Sequence, residues 1–218
     1  MQRTGQTIGA TTYQKIKHDI VFGILPPGSK IKLDDLKARY ETSLSTLRET
    51  LHRLASEGFV DAPEQRGFFV KPVSGADLQE IADLRILLEC HALRQSILNG
   101  DTEWEGRVVA AHHKLHLMEQ RLADGDDSQK ETWKRYDWEF HQALISNCKS
   151  ANLLSLHATL YEKYLRYQML VLTNRGEVAA NEHRAMLDRA LTRDADGASE
   201  ILKTHIDGGL EHTINAMP

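Results

Sequence analysis

Cysteine is scarce in this sequence, and long apolar runs are absent. The 218 residues include two cysteines, Cys90 and Cys148, which lie far apart and form no CxxC motif. Two such cysteines build no disulfide framework, which favours a reducing compartment such as the cytoplasm. No stretch approaches the roughly 20 apolar residues of a membrane span, and no apolar segment follows Met1 as a secretory signal requires. We therefore predict a cytoplasmic protein with no membrane partner.

Charge and histidine are unevenly distributed along the chain. Residues 1–75 hold 11 Lys and Arg against 8 Asp and Glu, whereas residues 76–218 hold 16 against 23. Nine of the 11 histidines also lie after residue 75. The length favours two domains. We predict a domain over residues 1–71 whose charge suits a polyanion, a linker at 72–75, and a domain over 76–218 that carries the site chemistry.

The first segment contains three short helical patterns. Tyr13, Ile16 and Ile20 share one helical face, and Pro26-Pro27-Gly28 ends that pattern. A second helix is predicted over Leu33–Tyr40, and a third, capped by Ser45 or Thr46, to about Glu57. The third helix has two faces: Leu47, Leu51 and Leu54 form the packing face, and Ser45, Arg48, Glu49 and His52 form the open face.

A hairpin is predicted directly after the third helix. Phe59–Ala62 and Gly67–Val70 have the composition of short strands, and Glu64, Gln65 and Arg66 lie in the turn between them. A basic turn next to a glycine can approach a DNA backbone closely. Taken alone, the open face of the third helix is equally compatible with an ordinary solvated surface. The hairpin favours a winged helix-turn-helix instead.

The run from Tyr13 through GILPPGSKI, LDDLKARYETSLSTLRETLHRLASEGFV and RGFFV resembles the winged helix of the GntR family. The resemblance implies that Ser43, Ser45, Thr46 and Arg48 contact DNA from the recognition helix, and that Arg66 and Gly67 do so from the wing tip. Leu44 and Asp34 stand where members of that family often have arginine. The operator sequence of better-known members therefore does not carry over.

The second segment reads as about six helices without strands, so the fold class is mainly α with a C-terminal all-α bundle. Helices are predicted from Ala76 and near Trp104–Ala123, Lys130–Cys148, Asn152–Leu172, Gly176–Arg193 and Asp196–Ala216. The first has a predicted apolar stripe through Leu78, Ile81, Leu84, Leu88 and Ala92.

Four polar residues fall on otherwise apolar faces of these helices: Asp137, His141, His183 and His205. Buried imidazoles and carboxylates require partners, and a divalent metal satisfies all four at once, with zinc the first expectation and nickel or manganese the alternatives. Each histidine could instead be a hydrogen-bonded core residue. His112 and His116, also four apart, are interpreted as part of a solvated face.

Several motifs of this segment resemble the FCD effector domain of FadR-type GntR regulators, in the shorter VanR-like branch: LRxxLE at 84–89, Asp137-x-x-x-His141, Asn181-Glu182-His183-Arg184, and Asp194 followed by His205. The resemblance implies that Asp137, His141, His183 and His205 bind the metal, that the bundle forms a homodimer, and that an organic acid binds near the metal. Arg85, Glu89, Tyr164 and Arg166 are the predicted effector-binding residues, although Arg85 and Glu89 could form only an intrahelical ion pair and Arg166 could lie at a dimer surface.

Together these patterns predict a transcription regulator, a repressor rather than an enzyme, that binds a pseudo-palindromic operator in double-stranded DNA as a homodimer. A small carboxylate is expected to control its affinity for DNA. Two alternatives remain at this stage. One is a metal-dependent hydrolase that uses the same Asp and His residues around an activated water. The other is a DNA-binding protein whose inward histidines serve only the core.

Overall fold

A computed structural model describes residues 8–173 and 175–217 of the chain. The described residues form two compact units. The first comprises the described residues up to Leu78 together with Glu162–Leu170, and the second comprises Gln79–Tyr161 and the described residues from Val171 onwards. Among the described residues, no helix combines the length and apolarity needed to cross a bilayer.

The first unit contains three helices and a small antiparallel sheet, as a winged helix-turn-helix requires. Strand β3 is central, with β1 and β2 on its two sides, and Val60 pairs with Val70 while Lys30 pairs with Phe69. The bounds are α1 Ile8–Val21, β1 Lys30–Ile31, α2 Leu33–Tyr40, α3 Leu44–Ser56, β2 Val60–Asp61 and β3 Phe68–Val70.

The packing face predicted for the third helix is confirmed. Leu47, Leu51 and Leu54 are fully buried, as are Ile16 and Ile20 of α1. Burial of each such side chain stabilises the fold by about 1.5–3 kcal/mol. This packing fixes α3 by one side and leaves its opposite side open.

The first turn of α3 differs from the prediction. Helix α3 begins at Leu44, and its cap is Ser43, whose Oγ accepts a hydrogen bond of 3.1 Å from the backbone N–H of Thr46. The predicted caps Ser45 and Thr46 are therefore wrong, because the extended backbone of Ser43 places its hydroxyl at the open amides first. Strand β1 was also not predicted, since its two residues are too few for an alternating pattern.

The C-terminal segment folds into six α-helices within its described part, which confirms the predicted bundle. The first of them, α4, begins at Gly75, the last residue of the predicted linker. Their bounds are α4 Gly75–Asn99, α5 Thr102–Ala123, α6 Lys130–Ile145, α7 Ala151–Val171, α8 Glu177–Leu191 and α9 Ala195–Ala216, with a short 3-10 turn at Asp127–Gln129.

Aspartate caps fix the start of two of these helices. The side chain of Asp101 accepts from the N–H of Trp104 at 2.7 Å, and that of Asp194 accepts from the N–H of Gly197 at 2.9 Å. Within the bundle α5 packs on α6 and α8, and α8 packs on α9. This arrangement brings α6, α8 and α9, the helices that carry Asp137, His183 and His205, around one interior.

The buried face of α4 differs in part from the predicted apolar stripe. Leu84 is 50% exposed, whereas Arg85 and Glu89 are 2% and 0% exposed. The predicted stripe is therefore wrong at Leu84, whereas Leu78, Ile81 and Ala92 are buried as predicted. A mutually neutralising Arg–Glu pair at positions i and i+4 occupies the buried face, where apolar side chains were expected.

Candidate functional site

The four predicted metal ligands converge in the second unit. Asp137 and His141 project from successive turns of α6, His183 from α8 and His205 from α9, and all four are buried. Each offers one ligand atom, and these atoms lie within 4.8 Å of one another. This spacing suits a single ion with ligand bonds of about 2.1 Å.

The carboxylate of Asp137 is oriented by two other side chains. Its Oδ2 accepts hydrogen bonds of 3.2 Å from Lys134 Nζ and from the hydroxyl of Tyr161. Its Oδ1 lies 3.2 Å from His183 Nε2 and 3.9 Å from His141 Nε2. One carboxylate oxygen is thus held by the protein, and the other faces the histidines.

Each histidine of the cluster donates a hydrogen bond from Nδ1 to a glutamate on another helix. His141 donates to Glu89, His183 donates to Glu119 at 2.6 Å, and His205 donates to Glu182 at 2.7 Å. An ionised carboxylate only accepts, so the ring hydrogen lies on Nδ1 and the neutral ring keeps a lone pair on Nε2. Carboxylates in this position fix the orientation of metal-binding imidazoles and raise their basicity.

The Nε2 atoms of the histidines indicate whether the cluster can accommodate a metal. Those of His141 and His183 are fully buried and have no hydrogen-bond partner among the described residues. A buried polar atom without a partner costs about 1–3 kcal/mol, which a bound cation would relieve. The donor set of three imidazoles and one carboxylate is one that zinc, nickel and manganese accept. The residues present therefore fit a divalent metal.

The electrostatics of the cluster keep its carboxylates ionised. Burial alone would raise the pKa of Glu89, but Arg85, His141 and His157 hold it well below its usual range. The pKa of Asp137 is likewise low, because the charge of Lys134 and contacts with the histidines outweigh burial.

The histidines respond differently to their surroundings. Burial lowers the pKa of His141, and it lowers that of His205 to about 3. Burial also acts against the charged form of His183, yet the nearby carboxylates of Asp137 and Glu119 raise its pKa overall. The negative field that favours a proton on His183 would favour a metal cation in the same way.

The predicted effector residues are divided between the two units, with Arg85 and Glu89 in the second and Tyr164 and Arg166 in the first. The two oxygens of Glu89 accept from Arg85, His141 and His157, so Glu89 orients His141 instead of presenting a free carboxylate. Arg85 stacks over the ring of Tyr161 with its guanidinium carbon 4.6 Å from the ring centroid. It is the member of the predicted set that remains beside the cluster as a cation.

Tyr164 and Arg166 lie in the part of α7 that belongs to the first unit. Tyr164 is fully buried, and Arg166 donates to the backbone carbonyl of Lys71. Within the first unit Arg166 therefore contacts backbone, and its role in effector binding stays a prediction. The spacing of residues on one helix did not reveal that α7 is divided between two cores.

The interpretation of His112 as a solvated residue is wrong. His112 is 9% exposed and packs edge-on against Phe140 with ring centroids 5.3 Å apart. Burial lowers its pKa. The face through His112 and Leu115 continues to Glu119, the partner of His183, which sequence analysis missed. The helical spacing of 112, 115 and 119 was the signal that could have identified an inward carboxylate.

The predicted DNA contacts cluster at the open end of α3. Ser43, Ser45 and Arg48 are exposed and Thr46 is half-buried. Ser43 Oγ lies 2.8 Å from Ser45 Oγ and 2.9 Å from Thr46 Oγ1. Hydroxyls, unpaired amides and a positive helix end form a surface to which a phosphate can bind. Leu44 is 39% exposed on the same turn.

The wing tip is also open. Arg66 and Gly67 are exposed in the turn between β2 and β3. Gly67 has a φ of +85°, and a Cβ placed there would meet no atom within 4 Å. Glycine is thus required at this position by the backbone conformation and not by a neighbour.

Comparison with known proteins agrees with both parts of this architecture. Residues 9–70 match the model of bacterial regulatory proteins of the gntR family, and residues 80–208 match the FCD domain. The chain is 42% identical over 201 residues to the uncharacterized HTH-type transcriptional regulator BphR of Paraburkholderia xenovorans, covering 91% of this chain and 82% of that one. It is 29% identical to the HTH-type transcriptional repressor GlaR of Escherichia coli over 89% of this chain and 90% of that one.

Solved structures share the fold. Escherichia coli McbR/YncC superposes with a TM-score of 0.80 at 18% identity, covering 96% of this chain and 98% of that chain. A GntR regulator from Rhodococcus sp. RHA1 gives a TM-score of 0.75 at 21% identity, with 96% and 99% covered. The relatives BphR and GlaR are named transcription regulators, which leaves the hydrolase alternative without support. The chain therefore belongs to the GntR family of DNA-binding transcription regulators, in the group that carries an FCD domain after the winged helix-turn-helix.

Proposed function

We propose that this regulator is a repressor whose affinity for its operator is controlled by a small carboxylate bound at a divalent metal. Asp137, His141, His183 and His205 would hold the metal, with zinc preferred and nickel or manganese as alternatives. The observation that carries the proposal is the pair of buried Nε2 atoms, on His141 and His183, that lack a hydrogen-bond partner among the described residues. A relative named a repressor, GlaR, supports the direction of regulation.

The metal would supply a Lewis acid to which an effector carboxylate can attach. Four protein ligands leave room for a fifth or sixth in the coordination shells that these metals accept. Arg85 would contribute positive charge beside the effector, since it lies in the same buried network as His141 and Glu89. Glu89, Glu119 and Glu182 would orient the three imidazoles.

The DNA-binding surface would consist of Ser43, Ser45, Thr46 and Arg48 on α3 together with Arg66 and Gly67 on the wing. Hydroxyls and backbone amides would contact phosphates, and Arg48 would reach base edges in the major groove. Two copies in a cytoplasmic homodimer would bind the two halves of a pseudo-palindrome. Exposed leucines on α4, at 84, 87 and 98, with exposed fractions of 50%, 66% and 73%, support a surface covered by a second copy.

The direct test is a gel shift on the promoter region with metal-free and zinc-loaded protein, titrated with a panel of small mono- and dicarboxylates. We expect at least one carboxylate to weaken operator binding by zinc-loaded protein and to raise its melting temperature, with both effects lost in EDTA. The double variant His183→Ala, His205→Ala should bind DNA without responding. Unchanged metal content in that variant would favour histidines that serve only the core.

A further inference from the structure

A second cleft in the effector domain has no place in the function proposed above. It lies between α5, the start of α6 and the start of α8, and has a volume of about 490 Å³, within the range of small-molecule sites. None of the four metal ligands lines it. Its walls are mainly carbon, and its lining includes Glu119, Leu122, Trp133, Ala179, Ala180 and Arg184.

Glu119 distinguishes this cleft from a simple surface depression. Its side chain is 9% exposed. Its Oε1 accepts from His183 Nδ1, while its Oε2 is fully buried and has no hydrogen-bond partner among the described residues. The nearest cationic candidate is His116, whose Nδ1 lies 3.7 Å from Oε2, beyond hydrogen-bonding distance.

Glu119 differs from the other buried carboxylates around the metal centre in its basic partners. Glu89 pairs with Arg85, Asp137 pairs with Lys134, and Glu182 pairs with Arg175. In the described part of the chain, Glu119 has no lysine or arginine partner. Its buried Oε2 receives no hydrogen bond from the described residues, so a ligand that brings a donating, positively charged group would be stabilised there.

We propose that this cleft binds a small organic cation, a protonated amine with an apolar body, and that the ammonium group donates to Glu119 Oε2. The apolar body would pack against Trp133, Leu122 and Ala179. Arg184 and Glu177 are exposed in the lining, so Glu119 is the buried carboxylate that the cleft offers to the positive group of the ligand. This site is separate from the carboxylate site at the metal and differs from it in the charge of its ligand.

The link to the metal centre gives the cleft a regulatory consequence, which rests on the proposed metal site. Glu119 also orients His183, so an ammonium on Oε2 withdraws electron density from the carboxylate that makes His183 basic. Amine and metal should therefore weaken each other's binding. Thermodynamic linkage requires that the amine lowers the affinity for metal by the same factor as the metal lowers the affinity for amine.

The test uses the full-length protein, metal-free and zinc-loaded, titrated with phenethylamine and, as a matched anion, 3-phenylpropanoate. Isothermal titration calorimetry would measure affinity. We expect phenethylamine to bind metal-free protein and 3-phenylpropanoate to bind it more weakly. Glu119→Gln should weaken phenethylamine binding about 10-fold to 100-fold, the loss typical of a hydrogen bond between charged groups. Glu131→Gln, which removes an exposed carboxylate from α6 outside the cleft, should change nothing.

Ala180→Leu adds bulk inside the cleft and leaves the Glu119 residue itself in place, and it should abolish phenethylamine binding while zinc affinity stays unchanged. This variant still tests the proposal if Glu119→Gln fails to fold. Absence of saturable phenethylamine binding, or equal binding by wild type and Ala180→Leu, overturns the proposal. Operator binding and zinc affinity of the wild type, measured separately, show whether the proposed function itself has failed.

Discussion

The ring of His205 donates to Glu182 at 2.7 Å, and Arg175 also pairs with that carboxylate. Because of His205 and Arg175, the pKa of Glu182 falls to about 2 although burial opposes the charge. The carboxylate is thus ionised at neutral pH and supports the imidazole that would bind the metal. Its importance can be measured without disturbing a direct ligand.

Replacing Glu182 by Gln should reduce zinc affinity about 10-fold to 100-fold, since an amide accepts more weakly from Nδ1 than a carboxylate does. Competition with a chromophoric chelator measures this affinity. Asp188→Asn, an exposed change on the same helix, is the matched control. Equal affinities for the two variants would show that Glu182 is not a supporting residue.

Arg48 is exposed on the open side of α3, so its replacement should leave the fold intact. We expect Arg48→Ala to weaken operator binding, by about 1–3 kcal/mol if the side chain reads a guanine edge. Arg107→Ala, an exposed arginine of the second unit, provides the comparison in a fluorescence anisotropy titration. A loss that is equal on operator and random DNA, with a shallower salt dependence, would assign Arg48 to a phosphate instead.

The sequence patterns predicted the four residues of the Asp–His cluster better than the glutamates that accept hydrogen bonds from its histidines. Asp137 and His141 were identifiable because they lie four apart on an apolar face, and His183 and His205 because each interrupts one. Glu119 was missed because its face was interpreted as solvated, and Glu182 was missed because a hydrogen bond between helices leaves no periodic signal within either helix. His112 was misplaced for the same reason: its neighbour Phe140 comes from α6.

The hydroxyl cluster at the start of α3 caps the helix and forms part of the proposed DNA-binding surface. Ser43 caps the helix, and its Oγ also contacts the hydroxyls of Ser45 and Thr46. Helix boundaries were predicted well where an apolar period continued, as in α2. They were less accurate here, because three adjacent hydroxyl residues offered three possible caps.

Two substitutions at Ser43 separate these roles. Ser43→Ala removes the cap and should lower the free energy of unfolding by about 1 kcal/mol. Ser43→Asp keeps a capping oxygen and should preserve stability, while its charge repels phosphate and weakens DNA binding. Urea denaturation and gel shifts measure the two effects. Full DNA binding by Ser43→Asp would place the phosphate elsewhere.

The two units of the molecule share one helix. Residues 162–170 of α7 belong to the first unit, and the rest of α7 belongs to the second. In the first unit Tyr167 donates to Asp77, and in the second Tyr161 donates to Asp137. The cores of both units therefore include side chains from the same continuous helix, α7.

Zinc at 100 times its dissociation constant should stabilise the protein by about 2.7 kcal/mol, which corresponds to about 5–10 °C in melting temperature. The increase should vanish in EDTA and in His183→Ala. Calorimetry should show one transition that moves as a whole. A second transition that zinc leaves in place would mean that the winged helix melts on its own.

The division of α7 also bears on how the chain resists degradation. A helix that frays at one end exposes backbone to proteases, yet α7 is anchored near both ends by different cores. Opening it requires disruption of both cores, so cleavage within α7 should follow global unfolding and not local fluctuation. A metal bound in the second unit would thereby lengthen the lifetime of the whole regulator, and the supply of the ion would set how much of it survives.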